Sequence, residues 1–149
     1  MIFVAVGTTS FDTLIKAVDE LCLNWSEKVV MQIGTGSYEP KNCDYFRFAP
    51  SLTPYYEQAS VVISHGGVGI TTEVLQFPRP LVAVEDVTHP ERHQQEILIA
   101  LSQAKNLVWC QNLQTLPAAI EQARTQLDPY VKPDCYIHTV VDQFIERIM

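Results

Sequence analysis

A chain of 149 residues suits one domain, which at this size buries about two-thirds of its unfolded surface and needs no staples. With 47% hydrophobic and 18% charged residues it reads as globular rather than disordered. A net charge of -7 and ten Lys and Arg residues without a cluster exclude the basic stripe of a nucleic-acid binder, so no nucleic-acid partner is expected.

Residues 2–6 are an unbroken apolar run, the pattern of a strand buried on both faces. Gly7-Thr8-Thr9-Ser10 then leads into a helix over 11–23, with Leu14, Ile15, Val18, Leu21 and Cys22 at helical spacing. A second strand, 28–33, closes on Gly34-Thr35-Gly36; a short strand over 45–48 and a short helix over 54–59 follow. The fourth strand, 61–64, runs into His65-Gly66-Gly67-Val68-Gly69 and a helix over 70–76. Next come a strand over 80–84, a helix over 91–103 with Ile97, Leu98 and Leu101 inward, and a strand over 106–110. Helices over 116–127 and 138–148 complete the chain, the last carrying Ile137, Val140, Val141, Phe144, Ile145 and Ile148 as an apolar stripe.

Strand and helix alternating this regularly imply right-handed crossovers and a parallel sheet. The expected fold is α/β, a Rossmann-like three-layer sandwich with a six-stranded, mainly parallel sheet, forming one domain over 1–149. No signal peptide is recognisable at the N-terminus, and no apolar run approaches the roughly 20 residues of a spanning helix. Cys22, Cys43, Cys110 and Cys135 are widely spaced without a CxxC pair; buried free thiols in a reducing compartment are the expected state, not a zinc or redox site. His89 and His93 are four apart, but the intervening residues lack the HExxH pattern and Thr88 with Glu91 reads as a capping box. No metal is expected.

Ligands of open α/β sheets bind at the carboxyl ends of the strands, where two glycine-bearing turns lie. In the second, Gly66, Gly67 and Gly69 would let the backbone approach an anion, with the following helix offering unpaired N–H groups. Thr71 and Thr72 add hydroxyls, and Glu73 could accept from a ribose diol. A plain strand-to-helix turn uses the same glycines, and Ser10 could simply be a helix cap. Asp12 is open between base and cap. Neither a G-x-G-x-x-G fingerprint nor a Walker lysine is present, so dinucleotide enzymes and P-loop NTPases are not expected.

Together, Ser64-His65-Gly66-Gly67-Val68-Gly69-Ile70-Thr71-Thr72-Glu73, Val6-Gly7-Thr8-Thr9 with Phe11-Asp12, and His93-Gln94-Gln95-Glu96 resemble the C-terminal, donor-binding domain of glycosyltransferase family 28. The opening residues resemble its short members, the catalytic subunits of two-component UDP-sugar transferases of dolichol-linked glycan, capsule and exopolysaccharide synthesis. The resemblance implies the C-terminal half of a GT-B fold and inverting transfer from a UDP-sugar without a cofactor or bound metal. It implies that Glu73 binds ribose and that Gly66, Gly67, Gly69, Thr71 and Thr72 form the diphosphate loop. It gives His65 a diphosphate contact, Ala49 within Phe48–Leu52 the uracil, and Thr8 and Thr9 the phosphates from the other side. Gln94, with Gln95 as alternate, would meet the sugar hydroxyls. The acceptor is expected to be lipid-linked and the acceptor half, with the catalytic base, to come from a membrane-associated partner held by the C-terminal helix. The chain itself would be cytoplasmic and recruited peripherally. The alternative is a non-catalytic nucleotide-sugar-binding or stabilising subunit.

Overall fold

A computed structural model describes residues 1–86, 94–131, 143 and 145–148. Six strands form one sheet: β1 (Ile2–Ala5), β2 (Val29–Gln32), β3 (Asp44–Phe46), β4 (Val61–His65), β5 (Leu81–Val84) and β6 (Val108–Cys110). Every neighbouring pair is parallel, in the order β3-β2-β1-β4-β5-β6. The connections carry helices α1 (Asp12–Leu21), α2 (Thr53–Gln58), α3 (Val68–Val74), α4 (Gln94–Gln103) and α5 (Leu116–Gln126).

The apolar strands are unalternating because helices cover both faces. Along β1, Ile2, Val4 and the following Val6 point to one side, packing with Phe11, Leu14, Ile15 and Val18 of the α1 region and Leu116, Ala119, Ile120 and Ala123 of α5. Phe3 and Ala5 point to the other, against Tyr56 of α2, Ile70 and Val74 of α3 and Leu98 of α4. Each fully buried Val, Leu, Ile or Phe among them contributes roughly 1.5–3 kcal/mol. The predicted three-layer parallel sandwich is therefore the observed one, with all of its strand pairs parallel.

Element ends shift by a residue or two. The expected strand over 45–48 is the edge strand β3, one residue earlier and shorter; Arg47 just beyond it turns its guanidinium onto the Gly34 and Gly36 carbonyls. Ile97, expected to face inward, is 39% exposed. Leu98 is the residue α4 buries, with Leu101 beside it, and Ile97 sits about 100° away around the helix. The helix expected over 138–148 falls largely outside the described residues, including Ile137, Val140, Val141 and Phe144. Residues 143 and 145–148 are helical, with Ile145 and Ile148 exposed.

Among the described residues no helix is long and apolar enough to cross a membrane. At the amino ends of the strands, Glu27 joins three partners. It accepts from the Met1 ammonium at 2.7 Å, from the Ser60 hydroxyl and from Arg124 at 2.7 Å. Burial alone would raise its pKa; those hydrogen bonds and the Arg124 charge outweigh it and bring the carboxyl down to about 2.

Candidate functional site

The strand order reverses between β1 and β4, which leave the sheet in opposite lateral directions and open a crevice beyond their carboxyl ends. Both glycine-bearing turns emerge there. Ala5 pairs with Ser64, so Gly7 and His65 leave the sheet side by side.

The first turn is held by a residue that the sequence reading passed over. Gln32, 2% exposed at the end of β2, accepts from the Val6 and Gly7 N–H groups at 3.1 and 2.8 Å. Its amide nitrogen donates to the Gly7 and Arg47 carbonyls, both at 2.7 Å. Gly7 takes φ +69°, which a side-chain-bearing residue rarely adopts. The Gly34–Gly36 turn backs it: Thr35 N–H donates to Thr9 O at 3.2 Å, and a Cβ on Gly34 would lie 2.1 Å from that oxygen. Arg47 donates to the Gly34 and Gly36 carbonyls at 3.2 and 2.7 Å. A lone glutamine in an otherwise apolar strand was the available signal for this brace. Thr8 is exposed at the tip of the turn, and Thr9 is half-buried behind it.

Asp12 is not the cap of α1. Phe11, not Ser10 or Asp12, is the N-cap of α1, and no side chain caps it. Asp12 instead accepts from Ser37 N–H at 3.1 Å, tying the helix start to the Gly34–Gly36 turn.

In the second turn the three glycines do different things. Gly66 is buried, and a Cβ there would come 2.7 Å from Leu98 Cδ1, so its bareness lets α4 close on the sheet. Gly67 is the N-cap of α3 and donates its N–H to His65 Nδ1 at 3.0 Å. A Cβ on Gly67 would strike His65 Cε1 at 2.1 Å, so the ring turns its Nδ1–Cε1 edge toward this residue. Gly69, in the first turn of α3, is exposed with nothing within 4 Å of where its Cβ would be. Among the described residues, the space above it is open.

Because His65 Nδ1 accepts a hydrogen bond, the neutral imidazole carries its proton on Nε2. Nε2 lies beside Gly7, 3.5 Å from where a Cβ would stand. The ring thus lies between the two turns. No lysine or arginine lies in either turn, and the opening turn of α3 carries main-chain N–H groups without intrahelical partners.

The two threonines separate. Thr71 is fully buried and its hydroxyl has no partner among the described residues, so it faces the sheet and not the crevice. Thr72 is exposed and turns its hydroxyl back to the Val68 and Gly69 carbonyls at 2.9 and 3.0 Å, leaving the oxygen lone pairs to accept. Glu73 is exposed on α3. Beneath this helix Tyr56 is buried with its hydroxyl unpartnered among the described residues, and burial, then the Glu73 charge, push its pKa far up. Ala49 is half-buried in the loop after β3, next to Phe48 at 56% exposure. Gln95 donates to Glu85 across the β5–α4 connection. Gln94 opens α4, its side chain outside the described part of the structure, as are Thr88, His89, Glu91 and His93.

The cysteine expectation needs correcting. Cys110 is buried, but Cys22 and Cys43 are only half-buried and touch each other, Cys43 Sγ lying 2.6 Å from Cys22 Sγ. With Asp19 they form a compact trio whose potential ligand atoms lie within 4.8 Å of one another. Their separation in sequence hid this. Cys135 lies outside the described residues.

Against known proteins, the glycosyltransferase family 28 C-terminal domain matches residues 1–144. The chain is 36% identical over 121 residues to the UDP-N-acetylglucosamine transferase subunit ALG13 of Mus musculus, covering 72% of this chain and 10% of that protein. It therefore spans about a tenth of the length of the curated relative it matches. Among solved structures, Acinetobacter baumannii MurG superposes with a TM-score of 0.62 at 17% identity, over 98% of this chain and 49% of that one. An NMR solution structure of ALG13 gives a TM-score of 0.63 at 17% identity, over 94% of this chain and 93% of that one. The six-stranded parallel fold is that of the C-terminal halves of GT-B glycosyltransferases. The chain belongs to the glycosyltransferase family 28 C-terminal domain family.

Proposed function

We propose that this family 28 domain binds a UDP-sugar in the β1/β4 crevice and is the donor-binding, catalytic subunit of a two-component transferase. The observation that carries the reading is the convergence of the Gly7 turn, the His65 ring and the open start of α3 at the switch point of the sheet. The donor by similarity to ALG13 is UDP-N-acetylglucosamine, and the acceptor is a lipid-linked glycan or its lipid carrier.

In this reading the uracil lies along the main chain near Ala49, and Glu73 accepts from the ribose hydroxyls. The diphosphate lies over Gly67 and Gly69, with Thr8 and Thr9 facing it from the first turn. Thr72 borders the same surface; Thr71 and Gly66 support it from beneath. Gln94 serves the sugar hydroxyls, and Gln95, engaged with Glu85, orients the start of α4.

The reaction is an inverting displacement. An acceptor hydroxyl attacks the anomeric carbon from the face opposite UDP, its proton passes to a base on the partner subunit, and the bond from carbon to the diphosphate oxygen breaks. Negative charge grows on the departing diphosphate. The amides opening α3 and the His65 Nε2–H are fixed before the charge develops, and removing one such donor typically costs about 2.7–4 kcal/mol. The partner is a membrane-associated subunit carrying the acceptor site. Ile145 and Ile148, exposed on the C-terminal helical segment, offer it apolar contact.

A transfer assay tests this. Radiolabelled UDP-N-acetylglucosamine and a polyprenyl diphosphate-linked acceptor are incubated with the chain alone, and with the chain co-expressed with its membrane-associated partner. Product should form only in the second case. Product from the chain alone would refute the two-component reading; UDP binding without product in any pairing would favour the non-catalytic subunit.

A further inference from the structure

At the end of the sheet opposite the crevice, α1 passes into a 3₁₀ turn, Cys22–Asn24, while Cys43 immediately precedes the edge strand β3. The two sulfurs meet there, Cys43 Sγ 2.6 Å from Cys22 Sγ, with Cys22 Sγ also bonded to Asp19 O at 3.2 Å. This contact is organised by Asp19, whose buried carboxylate accepts from Asn42 N–H at 2.8 Å, Tyr38 O–H at 2.8 Å and Lys41 N–H at 3.0 Å. Asn42 adds a side-chain bond to Asp19 O at 3.0 Å. The loop before β3 is thus wrapped around the end of α1, with Cys43 laid on Cys22.

We propose that Cys22 and Cys43 are a modification site, a dithiol that oxidised glutathione or another low-molecular-weight disulfide converts to an intrachain disulfide stapling α1 to the edge strand. Both residues are half-buried, so a small oxidant reaches them. One protein thiolate attacks a glutathione disulfide sulfur and releases one glutathione thiolate. The second protein thiolate then displaces the other glutathione. Two protons leave the protein thiols, two electrons pass to glutathione, and one S–S bond replaces another.

A metal ion fits the trio less well. Two thiolates on a tetrahedral zinc, each at about 2.3 Å, stand about 3.8 Å apart, whereas a disulfide needs about 2.05 Å. Asp19 already accepts three hydrogen bonds that a metal would have to displace. The same surroundings set the pace of oxidation. Burial first, then Cys22 and the Asp19 charge, raise the Cys43 pKa far above the usual thiol range, so thiolate is scarce at neutral pH.

The test compares the whole chain after incubation with oxidised glutathione and after dithiothreitol, by peptide mass spectrometry and calorimetry. The expected result is a Cys22–Cys43 cross-linked peptide two hydrogens lighter, forming faster as pH rises from 7 to 9. A staple closing this loop should raise Tm on the order of 6–12 °C. Cys43→Ser and Cys22→Ala should each abolish the shift, and the wild-type comparison stands even if a variant folds poorly. Single glutathionylation without a cross-link, pairing through Cys110 or Cys135, or an unchanged Tm would overturn the proposal. So would purification with one equivalent of zinc that protects both thiols.

Discussion

Gly69 separates a ligand-approach glycine from a folding glycine more cleanly than any other position in the crevice. It occupies the first turn of α3, with helical neighbours and empty space where a Cβ would go. Gly69→Ala therefore meets no steric resistance in the free protein. Replacing glycine by alanine within a helix gains up to about 1 kcal/mol, less near the end, so stability should rise by roughly 0.5 kcal/mol. At this chain length that is a Tm increase of about 1–2 °C. If a diphosphate lies against this turn, the same methyl occupies its place and pushes it off the N–H groups. Loss of one charge-assisted hydrogen bond, about 1.5–3 kcal/mol, weakens UDP binding by roughly 10- to 150-fold. Calorimetric melting and UDP titration of one preparation read both effects. A variant with raised Tm and unchanged UDP affinity would show that the phosphates do not approach Gly69. A variant that melts lower would show a structural demand that the open surroundings do not contain.

Glu73→Ala should lose about 1.5–3 kcal/mol of UDP binding while Tm stays within about 1 °C, since the residue is exposed; equal affinity by calorimetry would remove it from the ribose site. Gln94→Ala should weaken UDP-N-acetylglucosamine binding and leave UDP unchanged, and an equal loss for both ligands would place it away from the sugar. Glu27 has a folded pKa of about 2, below its ordinary 4.5, so its stabilisation is complete above pH 4.5 and is lost as pH falls toward 2. With the carboxylate 27% exposed and therefore partly screened, that contribution is on the order of 1–2 kcal/mol. Glu27→Gln should lower Tm at pH 7 and show a flatter acid limb between pH 4.5 and 2; an acid limb identical to wild type would contradict the linkage.

The strands were legible because both faces of the sheet are covered, so each central strand is a plain apolar run with no alternation to misread. Crossover helices followed from the same pattern, and the positions of the two glycine turns followed from the strand ends. What stayed hidden depends on rotation and on distant loops. Thr71 and Thr72 are adjacent on α3 and differ by about 100° around it, so one hydroxyl is buried and the other is exposed. Ile70 and Val74, flanking Thr71 on the buried side, were the clue to that phase. Gln32 serves the Gly7 turn from a neighbouring strand; a polar residue in an apolar run was the local sign, and it does not say which turn the side chain braces. The Cys22–Cys43 contact exists only because the loop before β3 wraps around Asp19, a tertiary arrangement with no signature in spacing. Gly66, read with the phosphate loop, also packs closely against Leu98 of α4, a residue more than thirty positions away.

The place where UDP binds is the most direct test of the proposed donor site. In a titration of ¹⁵N-labelled chain with UDP, followed by amide chemical shifts, the moving signals should be those of Gly7–Thr9, Ala49, His65 and Gly67–Glu73. Amides at the opposite end of the sheet, such as Lys105 and Asp128, should stay fixed. Saturating UDP that moves none of the crevice amides, or moves chiefly those at the opposite end, would contradict it.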